Sequence, residues 1–131
     1  MQVGDRRCLW LVAAVLATAC ARPEQSLLEQ FFGASRLRDT TALQRISSVV
    51  FEPRQDGIVR TFEITAVTPE RVQQSVVVKD VTVEAPVILP DGRAVQKTLV
   101  MTLQRTINET DNAWRVVAFR DAAASPQPPR P

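Results

Sequence analysis

The chain has no histidine and no tyrosine, and it has only two cysteines and four glycines among its 131 residues. The imidazole group, which is the commonest general base in enzymes, is therefore absent. Zinc and copper sites built on nitrogen and sulfur ligands are excluded as well. The glycines are scattered, and none forms a glycine-rich loop that could hold a phosphate group. Carboxylate chemistry remains, and nothing in the sequence calls for a cofactor or a metal.

The charge of the chain is nearly balanced. Sixteen basic and fourteen acidic residues give a formal net charge of +2. A protein that binds nucleic acid needs a clustered basic face that releases counterions from the phosphates. This balance argues against a nucleic-acid partner.

The N-terminal residues have the order of a secretory signal peptide. Arg6 and Arg7 precede an apolar run at residues 9–16, and small residues lead from there to Cys20. A basic head, an apolar body and small residues before a processing point are typical of such leaders. The uncharged stretch, residues 8–21, has 14 residues, whereas a membrane-spanning helix needs about 20. Residues 1–19 are therefore predicted to be a cleaved signal peptide, with an uncleaved membrane helix as an alternative.

The segment Ala17-Thr18-Ala19-Cys20 resembles the lipobox of bacterial lipoproteins. The resemblance implies that Cys20 receives a diacylglyceryl group, that the leader is cut before it, and that residues 20–23 form a short linker at a bilayer. Ala17 departs from the family, which usually has leucine there, and an ordinary export signal without lipid is the main alternative. Two or three acyl chains on one cysteine would hold the protein stably at the membrane.

The same resemblance bears on localisation. In enteric bacteria an aspartate directly after the acylated cysteine resembles a retention signal for the inner membrane, and this chain has Ala21 there. The expected location is the cell envelope, at the periplasmic face of the outer membrane if the host has one. The inner membrane and secretion are the alternatives.

A single domain is predicted at residues 24–121, followed by a disordered tail at residues 122–131. The tail is too rich in proline to pack. Two helices come first. One is predicted at residues 24–34, ending near Gly33, and a shorter one follows with Asp39 or Thr40 as its cap. The first helix has a broad apolar stripe made of Leu27, Leu28, Phe31 and Phe32.

After the helices the hydrophobic pattern changes to period two, which is typical of strands. Strands are predicted at residues 58–67, 72–87, 95–107 and 114–120. In the first strand, Ile58, Phe62 and Ile64 are expected on one face. The second strand changes phase near Lys79 and Asp80, which predicts a β-bulge there.

Helices followed by hairpin-connected strands indicate an α+β fold: two N-terminal helices on one face of a curved, antiparallel meander sheet of four or slightly more strands. With Leu27-Leu28-x-x-Phe31-Phe32, Arg38-Asp39-x-x-x-Leu43 and the closing segment 114–119, this order resembles the cystatin-like and nuclear transport factor 2-like cone. Members of the larger family usually have three helices, and here only two can be placed. The pocket in the cone is therefore expected to be reduced or filled.

Three charged residues are candidates for ligand binding. Asp80 lies in a valine-rich strand and would be a usable base if it faced the cone interior; the alternative is a solvent-side charged pair with Lys79. Arg60 and Arg105 share strand parity with apolar residues and could hold a carboxylate or phosphate at the cone mouth. The alternative is that their heads reach water or pair with a glutamate.

Function is predicted from the leader and from the missing catalytic side chains. The leading hypothesis is a non-catalytic, membrane-anchored accessory domain that binds an envelope protein or a small amphipathic ligand. One alternative is a small isomerase-like or hydrolase-like enzyme that uses Asp80 as base. Another is a purely structural envelope lipoprotein.

Overall fold

A computed structural model describes residues 23–107 and 113–122. The predicted signal peptide, Cys20, residues 108–112 and the predicted tail after Ala122 lie outside the described residues. Within the described residues there are two helices, α1 (Pro23–Leu37) and α2 (Thr40–Ile46). The strands follow: β1 (Ile58–Val59), β2 (Glu63–Val67), β3 (Arg71–Gln73), β4 (Val76–Ile88), β5 (Ala94–Thr106) and β6 (Arg115–Asp121).

The six strands form one curled antiparallel sheet, and this confirms the predicted α+β fold. The sheet is four strands wide, because three short strands lie end to end along one edge and each position across the sheet is called a row here. β4, β5 and β6 are three of the rows, in the order of a meander. β1, β2 and β3 all pair with β4 and together form the fourth row along its outer edge. β4 and β5 pair without interruption over 13 residues each, and this long ribbon is the frame of the sheet.

Helix α1 packs on the concave face of the sheet, as its apolar stripe predicts. Leu28 and Phe31 are fully buried and join one core cluster with Leu99, Met101 and Leu103 of β5. The helix does not end near Gly33, as predicted, but continues to Leu37. Gly33 has free space around it and no positive φ, so nothing in its surroundings stops the helix.

The two helices meet at a sharp turn. Arg38 has a φ of 56°, in the left-handed region, and this turns the chain out of α1. The side chain of Asp39 then accepts a hydrogen bond from the Ala42 N–H, at 3.1 Å, so Asp39 is the predicted cap of α2. After α2, Ser47 forms a parallel bridge with Val116, so the following loop covers the edge of β6.

The predicted bulge near Lys79 and Asp80 is wrong. β4 pairs with β5 in continuous register through both residues. The register shifts instead within β2, between Ile64 and Ala66, and between β5 and β6 at Thr102 and Leu103. β4 needs no bulge, because Lys79 lies on the core-facing side of the strand together with Val81 and Val83. A polar residue interrupts the series of valines there, but the alternation of faces continues.

The predicted parity of the first strand is correct only in part. Phe62 and Ile64 pack against the core, but Val59 rather than Ile58 is the buried residue of β1. The segment between β1 and β2 is not paired with β4, so the alternation is reset there.

Gly57 is the glycine that the fold requires most strictly. It has a φ of +100°, and a Cβ at this position would lie 2.6 Å from the Ile88 carbonyl oxygen. We expect Gly57→Ala to lower the free energy of unfolding by about 3 kcal/mol, because both the backbone and the contact are strained. Urea unfolding followed by circular dichroism measures this change.

Gly92 is the matched control for this prediction. It has a φ of +93°, but a Cβ there would meet nothing within 4 Å. Gly92→Ala should therefore carry only the backbone strain, about 1 kcal/mol. Equal losses in the two variants would contradict the close approach of Gly57 to β4.

Candidate functional site

The interior of the cone is filled by aromatic side chains. The chain has five phenylalanines, and all five form one connected cluster under the helices, with neighbouring ring centroids 5.1 to 6.3 Å apart; they are Phe31, Phe32, Phe51, Phe62 and Phe119. Edge-to-face and tilted contacts of this kind add to the stabilisation from burial. These rings lie between the helices and the concave face of the sheet, where the pocket of the cone is expected from the sequence.

A buried ion pair joins the start of α1 to the sheet. Lys79 lies on the same face of β4 as Val81 and Val83, so its side chain points to the concave side. Its Nζ is 3.0 Å from Glu24 Oε1, and the two side chains are only 6% and 11% exposed. A charge buried this deeply is tolerated only when it is paired. The pair therefore fixes the first turn of α1 on β4.

Trp114 brings a second cation to the same place. The Lys79 Nζ lies 4.1 Å from the centroid of the indole ring, and the Arg105 Cζ lies 5.3 Å from it. Both distances suit a cation–π contact. Arg105 also donates from its Nη2 to Glu70 Oε1, at 3.3 Å. We call Glu24, Glu70, Lys79, Arg105 and Trp114 the N-terminal cluster.

Sequence reasoning finds Arg105 but misses the rest of this cluster. Arg105 is half-buried on the concave side, near the end of β5. Its guanidinium is paired with Glu70, which is the alternative predicted from the sequence for this residue. Glu24 and Lys79 are 55 residues apart, so no local pattern joins them. The available signal is the position of Lys79 in phase with Val81 and Val83, which follow it in β4. The sequence predicts a bulge there instead, because Val76 and Val78 are out of phase with these two valines.

Asp80 lies on the opposite, convex face of the sheet. Its Oδ1 accepts a hydrogen bond from Thr102 Oγ1 at 2.9 Å, and its Oδ2 accepts from both terminal nitrogens of Arg71, at 3.4 and 3.3 Å. Its backbone N–H donates to Thr68 Oγ1. Asp80 thus fastens the turn before β3 to β4 and β5. It does not face the cone interior, and its charged partner is Arg71 rather than Lys79.

Arg60 does not join the other candidates. It is exposed in the break between β1 and β2, because the parity that was expected to turn it inward is reset there. The three predicted ligand-binding residues therefore lie in three separate places. They form no common site.

Two surface depressions lie beside α2. One of about 480 Å³ is lined by Arg38, Thr40, Leu43, Val50, Glu52, Arg54 and Gln55. A second of about 330 Å³ is lined by Thr40, Leu43, Gln44, Ser47, Ser48, Val49 and Val50. They share three lining residues and so form one continuous groove, which we call the α2 groove. Its centre is apolar, and an ion pair between Arg38 and Glu52, at 3.2 Å, lies at one end.

A smaller depression of about 260 Å³ lies where β5 ends and β6 begins. Three arginines line it, Arg45, Arg105 and Arg115, and its other lining residues are uncharged. The Nη2 of Arg115 also donates to the backbone carbonyls of Gln44 and Ser47, both at 3.1 Å, and so holds the end of α2. We call this depression the arginine pocket.

Among the described residues, no three carboxylate or cysteine side chains are grouped to hold a metal ion. In the same part of the chain, no helix has both the length and the apolar character that crossing a membrane requires.

Comparison with known proteins gave no match: no family model, no curated protein and no solved structure matches this chain. The resemblances to bacterial lipoproteins and to the cystatin-like cone therefore stay predictions. Function must be inferred from the geometry of the chain itself.

The Lys79–Glu24 pair should contribute strongly to stability. Lys79→Met removes the cation and leaves the Glu24 carboxylate buried opposite an apolar side chain. We expect this change to lower the free energy of unfolding by about 3 kcal/mol, measured by urea unfolding. Replacing both partners, as Lys79→Met with Glu24→Gln, should restore much of the loss.

Lys97 offers a matched control. Its Nζ is 3.5 Å from Asp121 Oδ2, but both side chains are 27% exposed. Lys97→Met should therefore cost only about 0.5 kcal/mol. A cost for Lys79→Met that is no larger than this would contradict the role assigned to the buried pair.

Proposed function

We propose that this protein is a non-catalytic, lipid-anchored module of the cell envelope that binds a protein partner through the α2 groove. The observation that carries the proposal is the filled cone. In folds of this shape a ligand would enter between helix and sheet, and here five phenylalanines occupy that space. A protein surface is therefore favoured over a small amphipathic ligand as the occupant.

The α2 groove has the composition of a protein interface. Its centre is apolar, with Leu43, Val49 and the exposed Val50, and its rim is polar. An apolar centre with a polar rim is typical of protein–protein contacts. The groove is open and elongated, which suits an extended segment of a partner better than a compact metabolite.

The position of the groove also supports this function. Helix α1 has 15 residues, so its end lies about 22 Å from its start. The Arg38–Glu52 end of the groove adjoins the end of α1, whereas the predicted anchor at Cys20 comes just before its start. A membrane-held domain would thus present this part of the groove away from the bilayer, where a partner can reach it.

The position of Asp80 does not favour the alternative of a small enzyme. Both of its carboxylate oxygens are engaged by Thr102 and Arg71 on the convex face. Asp80 therefore serves the attachment of β3 rather than a pocket.

Site-specific photocrosslinking tests the proposal in intact cells. The full chain carries benzoylphenylalanine in place of Val50, which is 38% exposed in the groove. We expect one discrete crosslinked protein, found in the membrane fraction, whose yield falls when Thr40→Arg changes the exposed rim of the groove. The same probe in place of Glu84, exposed on β4, is the control and should give no such product.

The anchor is tested in the same experiment. Cys20→Ser should move the protein from the membrane fraction to the soluble fraction, because the acylated sulfur is then missing. Identical crosslinks from residues 50 and 84 would refute the groove. A Cys20→Ser variant that stays with the membrane would refute the lipid anchor.

A further inference from the structure

Two exposed apolar residues lie at the sheet end where α1 begins. Val72 of β3 is 68% exposed and Ile107, directly after β5, is 40% exposed. Val72 pairs with Val77, and Val77 pairs in turn with Arg105 of the N-terminal cluster. The Ile107 N–H donates to the Ser75 carbonyl, in the turn that joins β3 to β4. Both residues thus lie near the Lys79–Glu24 pair.

The predicted anchor is tethered closely to this end. Helix α1 begins at Pro23, three residues after Cys20, and three extended residues reach at most about 11 Å. The Lys79–Glu24 pair prevents the first turn of α1 from moving away from the sheet. A bilayer that holds Cys20 must therefore lie close to Val72 and Ile107.

The arginine pocket lies at the same end of the sheet. It adjoins the end of β5 and the start of β6, and it is lined by Arg45, Arg105 and Arg115 with Ser48 and Thr106 beside them. Arginine and hydroxyl groups are the usual donors to phosphate oxygens. Its volume of about 260 Å³ is sufficient for a single phosphate group.

We propose that this end of the domain lies against the bilayer, with Val72 and Ile107 in the interfacial region and a phospholipid phosphate in the arginine pocket. The proposal rests on the lipid anchor of the proposed function and adds an orientation to it. Apolar side chains and cations at one surface are the two features by which proteins lie on a membrane.

The chain contains a suitable probe for this orientation. It has two tryptophans, Trp10 in the predicted leader and Trp114 in the N-terminal cluster. In a full-length Trp10→Phe variant, purified in detergent and reconstituted into vesicles, Trp114 is the only indole. We expect brominated phospholipids to quench its fluorescence. The variant Val72→Asp with Ile107→Asp should lose most of this quenching while remaining bound to the vesicles.

Leu37 provides the matched control. It is 72% exposed, about as much as Val72, but it lies at the opposite end of α1. Leu37→Asp should leave the quenching unchanged. An equal loss from Leu37→Asp and from the double variant would overturn the proposed orientation.

The phosphate contact is tested through Arg45, an exposed arginine of the pocket. Quenching should be stronger in vesicles containing phosphatidylglycerol than in vesicles of phosphatidylcholine alone, and Arg45→Gln should reduce this difference. If phosphatidylglycerol gives no stronger quenching than phosphatidylcholine, whereas inorganic phosphate binds the protein and Arg45→Gln weakens that binding, the pocket binds free phosphate and its assignment to a lipid headgroup is wrong.

Flotation of the vesicles tests the lipid anchor separately from the orientation of the domain. Protein that does not float with the vesicles has no anchor, and both the proposed function and the orientation then fail. Protein that floats but shows no quenching of Trp114 keeps its anchor and overturns the orientation alone.

Discussion

The packing of α1 against the concave face of β4 and β5 is the contact on which the rest of the domain depends. Both ends of this helix are fastened, and by different forces. The Lys79–Glu24 pair holds its start, where the charges are shielded from water by Trp114 and the helix itself. Phe31 and Phe32 hold its second half through contacts with the other phenylalanines. A sheet this curved would otherwise expose its apolar concave face to water.

This packing also decides what kind of function the fold can support. Because α1 and aromatic rings fill the cone, the proposed binding is assigned to the outer surface of the domain. The two surfaces with distinctive chemistry are the α2 groove and the end formed by Val72, Ile107 and the arginine pocket. The Arg38–Glu52 end of the groove adjoins the end of α1, whereas Val72 and Ile107 lie near its start. Ser48 lines both the groove and the arginine pocket, so the proposed partner would use the end of the groove that is remote from the bilayer.

Much of the fold can be predicted because its signals are local. The apolar stripe from Leu27 to Phe32 and the alternation along β5 each require only neighbouring residues, and both predictions are correct. The hairpin between β3 and β4 escapes prediction because Gln74 adopts a φ of 57° without the glycine or asparagine that normally marks such a turn. Gly33 suggests a helix end, although packing of the residues after it carries α1 further.

The candidate site is harder to predict, because its residues meet only through long-range contacts. Arg105 is placed on the correct face of the sheet by its parity with Leu103, a local signal. The orientation of Asp80 depends on whether β4 contains a bulge, which the pairing with β5 decides. The partner of Lys79 lies on α1 and can be found only after the helix has been placed on the sheet.

Amide hydrogen exchange at α1 tests the central claim most directly. If the helix is fastened at both ends, the amides of Leu28 and Phe31 should open with the same free energy as those of Val81 and Met101 in the sheet, because all four would exchange by global unfolding. If the α1 amides instead open at a free energy lower by about 2 kcal/mol or more, the helix leaves the sheet by itself. The proposed relation between the lipid anchor, the filled cone and the binding surfaces would then be wrong.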